Sequence, residues 1–140
     1  AEEQLRIIDR AGRPAPINAA ILGALADDPH FTCELGKFNL ECNLDPLPFG
    51  GDCLGRLEDQ LNALIARARA VAHGHAAHIV MTGIIPSLQK SDLSLDNITD
   101  RPRYHALNTA LTRMRRGPYE LNMRGIDELS VQHANVMLEA

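Results

Sequence analysis

Between Phe38 and Leu44 the chain alternates without a break: Phe38, Leu40, Cys42 and Leu44 are apolar, and Asn39, Glu41 and Asn43 are polar. A β-strand turns successive side chains to opposite faces. The pattern therefore predicts a strand that packs one face on a core and offers a carboxylate between two carboxamides on the other. Taken alone, such a face is more often solvated than functional. Phe31, Cys33 and Leu35 alternate with Thr32 and Glu34, and Gly36 follows, so residues 31–44 predict a tight hairpin that Pro46, Pro48 and Gly50-Gly51 bring to an end. Upstream, Leu5 and Ile7, flanked by Gln4, Arg6 and Ile8, predict a first strand that sets Glu2 and Gln4 on one face. The turn-rich run Asp9 to Pro14 closes it.

Helical spacing appears elsewhere. Ile17, Ile21 and Leu25 predict a short packing helix ended by Asp27-Asp28-Pro29. The strongest signal is a long helix capped by Asp52, with Leu54, Leu57, Leu61, Leu64, Ile65, Ala68 and Val71 as its buried stripe. Arg67, Arg69 and His73 suit its C-terminal dipole, and Gly74 suits a left-handed close. Ile79 to Ile85 is apolar on both faces up to Pro86, which predicts a strand in mid-sheet. Residues 87–100 read as a polar loop crossing a sheet edge. Asp100 then caps a second helix, with Pro102 in its first turn and Tyr104, Leu107, Leu111 and Met114 buried. Tyr119 to Arg124 alternates again, and pattern leaves residues 128–140 open. The sum is an α+β fold, a mostly antiparallel sheet with helices on one face. Its other face carries Glu2, Gln4, Asn39, Glu41 and Asn43.

Composition narrows the function. The chain has 140 residues and a net charge of −4, with no basic block, so nucleic acid and anionic membranes are not expected partners. No apolar run approaches the roughly 20 residues of a membrane span, and no signal peptide opens the chain, which leads us to expect a soluble cytoplasmic protein. Three cysteines without C-x-x-C spacing argue against a disulfide framework or a zinc cage. The chain opens without Met inside a strand and stops without a turn. It reads as a single, truncated piece of a longer domain, whose cut sheet edges would invite homodimerisation by strand pairing.

Three groups of residues carry candidate chemistry. Glu2 and Glu41, if their strands are neighbours, would repel unless a cation sat between them, and magnesium asks for such hard oxygen donors. Arg101 and Arg103 sit at a helix start, where the dipole disfavours cations. Either an anionic substrate group offsets that cost, or Asp96 and Asp100 do. His73, His75 and His78 span a helix end and a turn, so their rings need not converge, and His73 is explained as a C-terminal cation.

Glu2-Glu3-Gln4, Asp9 to Pro14, Glu34 to Asn43, Gly83 to Pro86 and Arg101 to Tyr104, in that order and spacing, resemble the N-terminal part of the glutamate-cysteine ligase family of plant and proteobacterial type, with its carboxylate-amine ligase relatives. The resemblance implies a glutamine synthetase-like curved sheet and an ATP- and Mg2+-dependent ligation. In that reaction the γ-carboxylate of glutamate passes through an acyl phosphate to an amine such as cysteine. It implies Glu2 and Glu41 as metal ligands, with Gln4 where the family carries a second Glu, and Glu34 as a further acid. It also implies Asn39, Asn43 and Arg101 at the substrate, and Arg103 and Tyr104 on the catalytic side. The family's later His-x-His-like strand and further carboxylates are missing, so the segment is expected to be inactive alone. Two other readings stay open: a binding or regulatory domain that has lost the metal, and an interaction module joined through sheet edges.

Overall fold

The computed structural model describes residues 1–25, 28–117, 119–126, 128–133 and 135. Asp27 and the end of the chain from Val136 to Ala140, both used in reading the sequence, lie outside them. In chain order come β1 (Glu2–Asp9), α1 (Asn18–Ala24), β2 (Phe31–Cys33), β3 (Asn39–Asn43), α2 (Cys53–Gly74) and β4 (Ala77–Val80). Two 3-10 turns follow (Lys90–Leu93 and Leu95–Asn97), then α3 (Pro102–Arg115), β5 (Tyr119–Arg124) and β6 (Glu128–His133). The first four strands form one antiparallel sheet in the order β2-β3-β1-β4, and β5 and β6 pair separately. The fold class is α+β.

Alternation along β1 and β3 sets the layering. Leu5, Ile7, Leu40 and Cys42 point to one side and are fully buried against Leu64, Ile65, Ala68 and Ala72 of α2. A second cluster gathers Cys33, Leu35, Phe38, Ile85, Ile98 and Tyr104, so the loop after β4 and the start of α3 close over the hairpin. Between β1 and α1 the chain turns on Asp9, whose Oδ1 accepts the N–H groups of Ala11 and Arg13 at 2.8 and 2.9 Å. Gly12, at φ 76°, takes the left-handed conformation that this turn requires.

Five expectations are corrected. The apolar run Ile79 to Ile85 is not a mid-sheet strand: β4 ends at Val80 and lies at the sheet edge, because Ile79 belongs to the first cluster and Ile85 to the second, while Met81 and Ile84 between them are exposed. In α2 the inner positions at the two ends belong to Cys53 and Ala72, and Leu54 is 69% exposed. Asp52 does hold the N-cap position as expected, without a side-chain cap bond. At the far end Ala76, not Gly74, is left-handed, because α2 runs through Gly74 and closes on His75. The N-cap of α3 is Arg101 rather than Asp100, and of its expected stripe Tyr104 is buried while Leu107 and Met114 are exposed.

Candidate functional site

The register of β1 on β3 sets Glu2 opposite Asn43, Gln4 opposite Glu41, and Arg6 opposite Asn39. On the other side of β3, Thr32 of β2 stands opposite Glu41. All seven side chains therefore share the face turned away from α2. Glu41 is its centre. Its Oε1 accepts from Thr32 Oγ1 at 3.0 Å and from Asn43 Nδ2 at 2.8 Å, which holds the half-buried carboxylate between its neighbours on that face. Glu2 is one rung away on the diagonal, about 7–8 Å between such positions, within reach of two side chains meeting on one ion.

A magnesium ion takes oxygen ligands, often one or two carboxylates, and keeps part of its water shell. Glu2, Glu41 and the amide oxygen of Gln4 are of that chemistry, so the donor set fits. Among the described residues no group of three or more His, Cys, Asp or Glu could hold a metal ion. Any ion here would therefore rest on two acids and neutral amides. His73, His75 and His78 are exposed.

The face closes at its other end. Asn39 is fully buried and Arg6 is 7% exposed, although the alternation alone would have offered Asn39 to solvent. Arg6 Nη2 donates to the Gly83 carbonyl at 3.0 Å. Burial lowers the Arg6 pKa from its ordinary value, and the Glu34 carboxylate acts in the opposite sense. Gly36 lies against Asn39: a Cβ there would come within 3.2 Å of Asn39 Nδ2, a tight contact that a larger residue could make only if the Asn39 side chain gave way slightly. Sequence reasoning treated Arg6 as a flanking residue of the strand. The signal it could have used was an arginine between Leu5 and Ile7 on the same alternating face as Glu2 and Gln4.

Glu34, in the hairpin loop, turns Oε1 to its neighbour's N–H, that of Leu35, at 2.7 Å, and it acts electrostatically on Arg6, Arg103 and Tyr104. Buried Tyr104 donates its hydroxyl to the Cys33 carbonyl at 3.0 Å and accepts from Arg103 Nη2 at 2.6 Å. Arg103 also lies over the Tyr104 ring, 4.6 Å from its centroid. Burial raises the Tyr104 pKa and the Arg103 bond partly opposes the rise, while the same bond raises the pKa of Arg103. Tyr104 is thus the support that aims Arg103. Arg101 and Arg103 line a cleft of about 490 Å3 with Thr32, Phe31 and Leu22. An adjoining cleft of about 610 Å3 shares Leu22, Cys33 and Arg101 and adds Lys37. Thr32 joins the two halves of the site, since it lines the arginine cleft and its hydroxyl is bonded to Glu41.

The class is thus an α+β domain whose sheet turns acids and amides outward, with exposed guanidinium groups one strand away. Within that class the chain belongs to glutamate-cysteine ligase family 2, whose family profile matches residues 2–130. Comparison with curated proteins and with solved structures gives no match. Among the described residues no helix is long and apolar enough to cross a membrane.

Proposed function

We propose that residues 1–140 form the N-terminal part of a glutamine synthetase-like catalytic domain that joins glutamate to an amine at the expense of ATP. A γ-carboxylate oxygen of glutamate attacks the terminal phosphorus of ATP and ADP leaves. The amine then attacks the acyl carbon, losing a proton as inorganic phosphate departs. Magnesium, when bound, would neutralise the charge that gathers on the transferring phosphoryl group.

The chain's own residues bind and orient. Glu2 and Glu41, with the Gln4 oxygen, hold the metal end. Asn43 and Asn39 supply the amide side of the substrate seat, and Glu34 is a further acid at its margin. Arg101 and Arg103, the latter braced by Tyr104, draw the phosphate or carboxylate of an incoming substrate to the β2 side. Buried reduced cysteines accord with a cytoplasmic enzyme. The observation that carries the reading is the family match over residues 2–130 together with Glu2, Gln4, Glu41 and Asn43 on adjacent rungs of one sheet face.

Gln4 directly opposite Glu41 favours a second reading, a binding domain that keeps the sheet without the metal chemistry. Titration of the intact protein carrying this chain with a non-hydrolysable ATP analogue, with and without magnesium, separates the two. Under the ligase reading, binding requires magnesium and weakens at least tenfold in Glu41→Ala. Binding that ignores both magnesium and the substitution would overturn it and favour the second reading.

A further inference from the structure

The cleft between α1 and the start of α3 stands apart from the outward sheet face. It encloses about 610 Å3, and Ala19, Leu22, Gly23 and Cys33 give it an apolar lining. Cys33 follows Thr32 along β2, so its side chain turns to the opposite side of the sheet from Thr32 and Glu41. The cleft therefore lies on the helix side, and none of Glu2, Gln4, Glu41 and Asn43 is part of its wall.

Two features of its polar groups call for a ligand. The first is Asn18, which is 1% exposed and part of the wall. Thr99 Oγ1 gives its own proton to the Glu34 carbonyl, so it accepts from Asn18, and the amide atom 2.8 Å from it is Nδ2. That leaves Oδ1, at the other end of the amide, with no donor among the described residues, although a buried acceptor is ordinarily paired. The second feature is charge. Lys37 and Arg101 line the same cleft, and neither has a carboxylate within ion-pair distance among the described residues. Lys37 Nζ donates to the Asp96 carbonyl at 2.6 Å, a neutral partner that leaves its other N–H donors open. Asp100, the acid at the rim, has a side chain that is 97% exposed and lies 3.7 Å from His105 Nε2. The cleft thus combines two cations, a buried acceptor and an apolar floor.

We infer that this cleft is a second small-molecule site, which takes a carboxylate with an apolar body and a hydrogen-bond donor on the carbon beside the carboxyl group. The carboxylate meets Arg101 and Lys37, the charge-assisted pairing that both side chains lack. The donor, an N–H or O–H, meets Asn18 Oδ1, and the apolar body lies over Leu22 and Cys33. This is the chemistry of an apolar α-amino or α-hydroxy acid, and the cleft has the volume of small-ligand pockets. The inference goes beyond the ligase reading, because binding here needs no magnesium, no nucleotide and no residue of the Glu41 face.

The test is isothermal titration of the intact protein with leucine and with leucate, its α-hydroxy analogue. The controls are isocaproate, which lacks the donor, and isohexanol, which lacks the carboxylate. Leucate has no amine that could serve as the acceptor in a ligation, so its binding is not mistaken for substrate binding. Wild type is compared with Gly23→Leu and Lys37→Met. A Cβ at Gly23 meets nothing within 4 Å, so the larger side chain can grow into the cleft that Gly23 lines, and it suits a helix better than glycine does. Wild type is expected to bind leucate saturably, at least about threefold more tightly than isocaproate and about tenfold more tightly than isohexanol. Leucine binding of the same order places an N–H on the Asn18 acceptor as well. Gly23→Leu should abolish leucate binding and Lys37→Met should weaken it at least about fivefold, while without ligand both melt within about 3 °C of wild type. Should one variant fail to fold, the other decides. No saturable binding of either acid by wild type, equal binding of leucate and the two controls, or binding unchanged in a folded variant overturns the inference.

Discussion

Tyr104 carries a titratable proton at a joint between the hairpin and α3. Its hydroxyl must stay protonated to donate to the Cys33 carbonyl, and burial raises its pKa above the ordinary value of about 10. In the unfolded chain the phenol ionises near pH 10, while in the folded chain it holds its proton to a higher pH. Between those two values the folded state binds more protons, and stability falls as pH rises. Tyr104's contribution is fully present below pH 10 and is lost through the folded pKa. Urea unfolding from pH 8 to 11 should therefore show a steeper alkaline loss in wild type than in Tyr104→Phe. At pH 8 the Phe variant should be less stable by about 1 kcal/mol for the lost hydrogen bond. Parallel pH profiles for the two proteins would remove Tyr104 from this role.

Among the elements, the two strands at the centre of the sheet were legible because alternation is a local property: Leu5 and Ile7, and Leu40 and Cys42, turn inward as their period requires. Pairing is not local. Nothing in residues 1–10 says that β1 runs beside β3, so the meeting of Glu2, Gln4 and Glu41 on one face became visible only with the register. Helix phase was legible in the middle of α2 and lost at its ends, where small residues compete with large ones. Cys53 is 5% exposed and Ala72 is fully buried, while Leu54 faces water. A hydrophobicity pattern favours the bulkier side chain, but packing against a flat sheet can favour the smaller one. Ile65→Ala should cost about 3 kcal/mol in urea unfolding, as expected for emptying a packed site. Leu54→Gln should stay within about 0.5 kcal/mol. Comparable losses at both positions would mean that the helix is turned the other way.

For the whole molecule the part least legible in sequence is what ties distant segments into one body. Asn18, at the first turn of α1, is 1% exposed. Its Nδ2 donates to Thr99 Oγ1 at 2.8 Å and lies 3.3 Å from the carbonyls of Gly36 and Asn39. Thr99 Oγ1 in turn donates to the Glu34 carbonyl at 2.6 Å, and the Thr99 N–H to the Leu35 carbonyl at 2.8 Å. One amide thus links α1, the hairpin loop that carries Glu34 and closes over Asn39, and the segment leading to Arg101. No periodicity announces it, since a single Asn before a short helix reads as an ordinary polar residue. If this link holds the two ends of the candidate site in register, its two partners should behave as a unit. Asn18→Ala is expected to cost about 2 kcal/mol, because it removes the buried donor to the Thr99 hydroxyl and the packing of the amide around it. Thr99→Val should cost less. A double-mutant cycle read by urea unfolding should show a coupling of roughly 0.5–3 kcal/mol, the range for residues in one hydrogen-bond network. Additive losses would mean that Asn18 and Thr99 stabilise the fold separately, and that the arginine cleft and the Glu41 face are held together by packing in the second hydrophobic cluster instead.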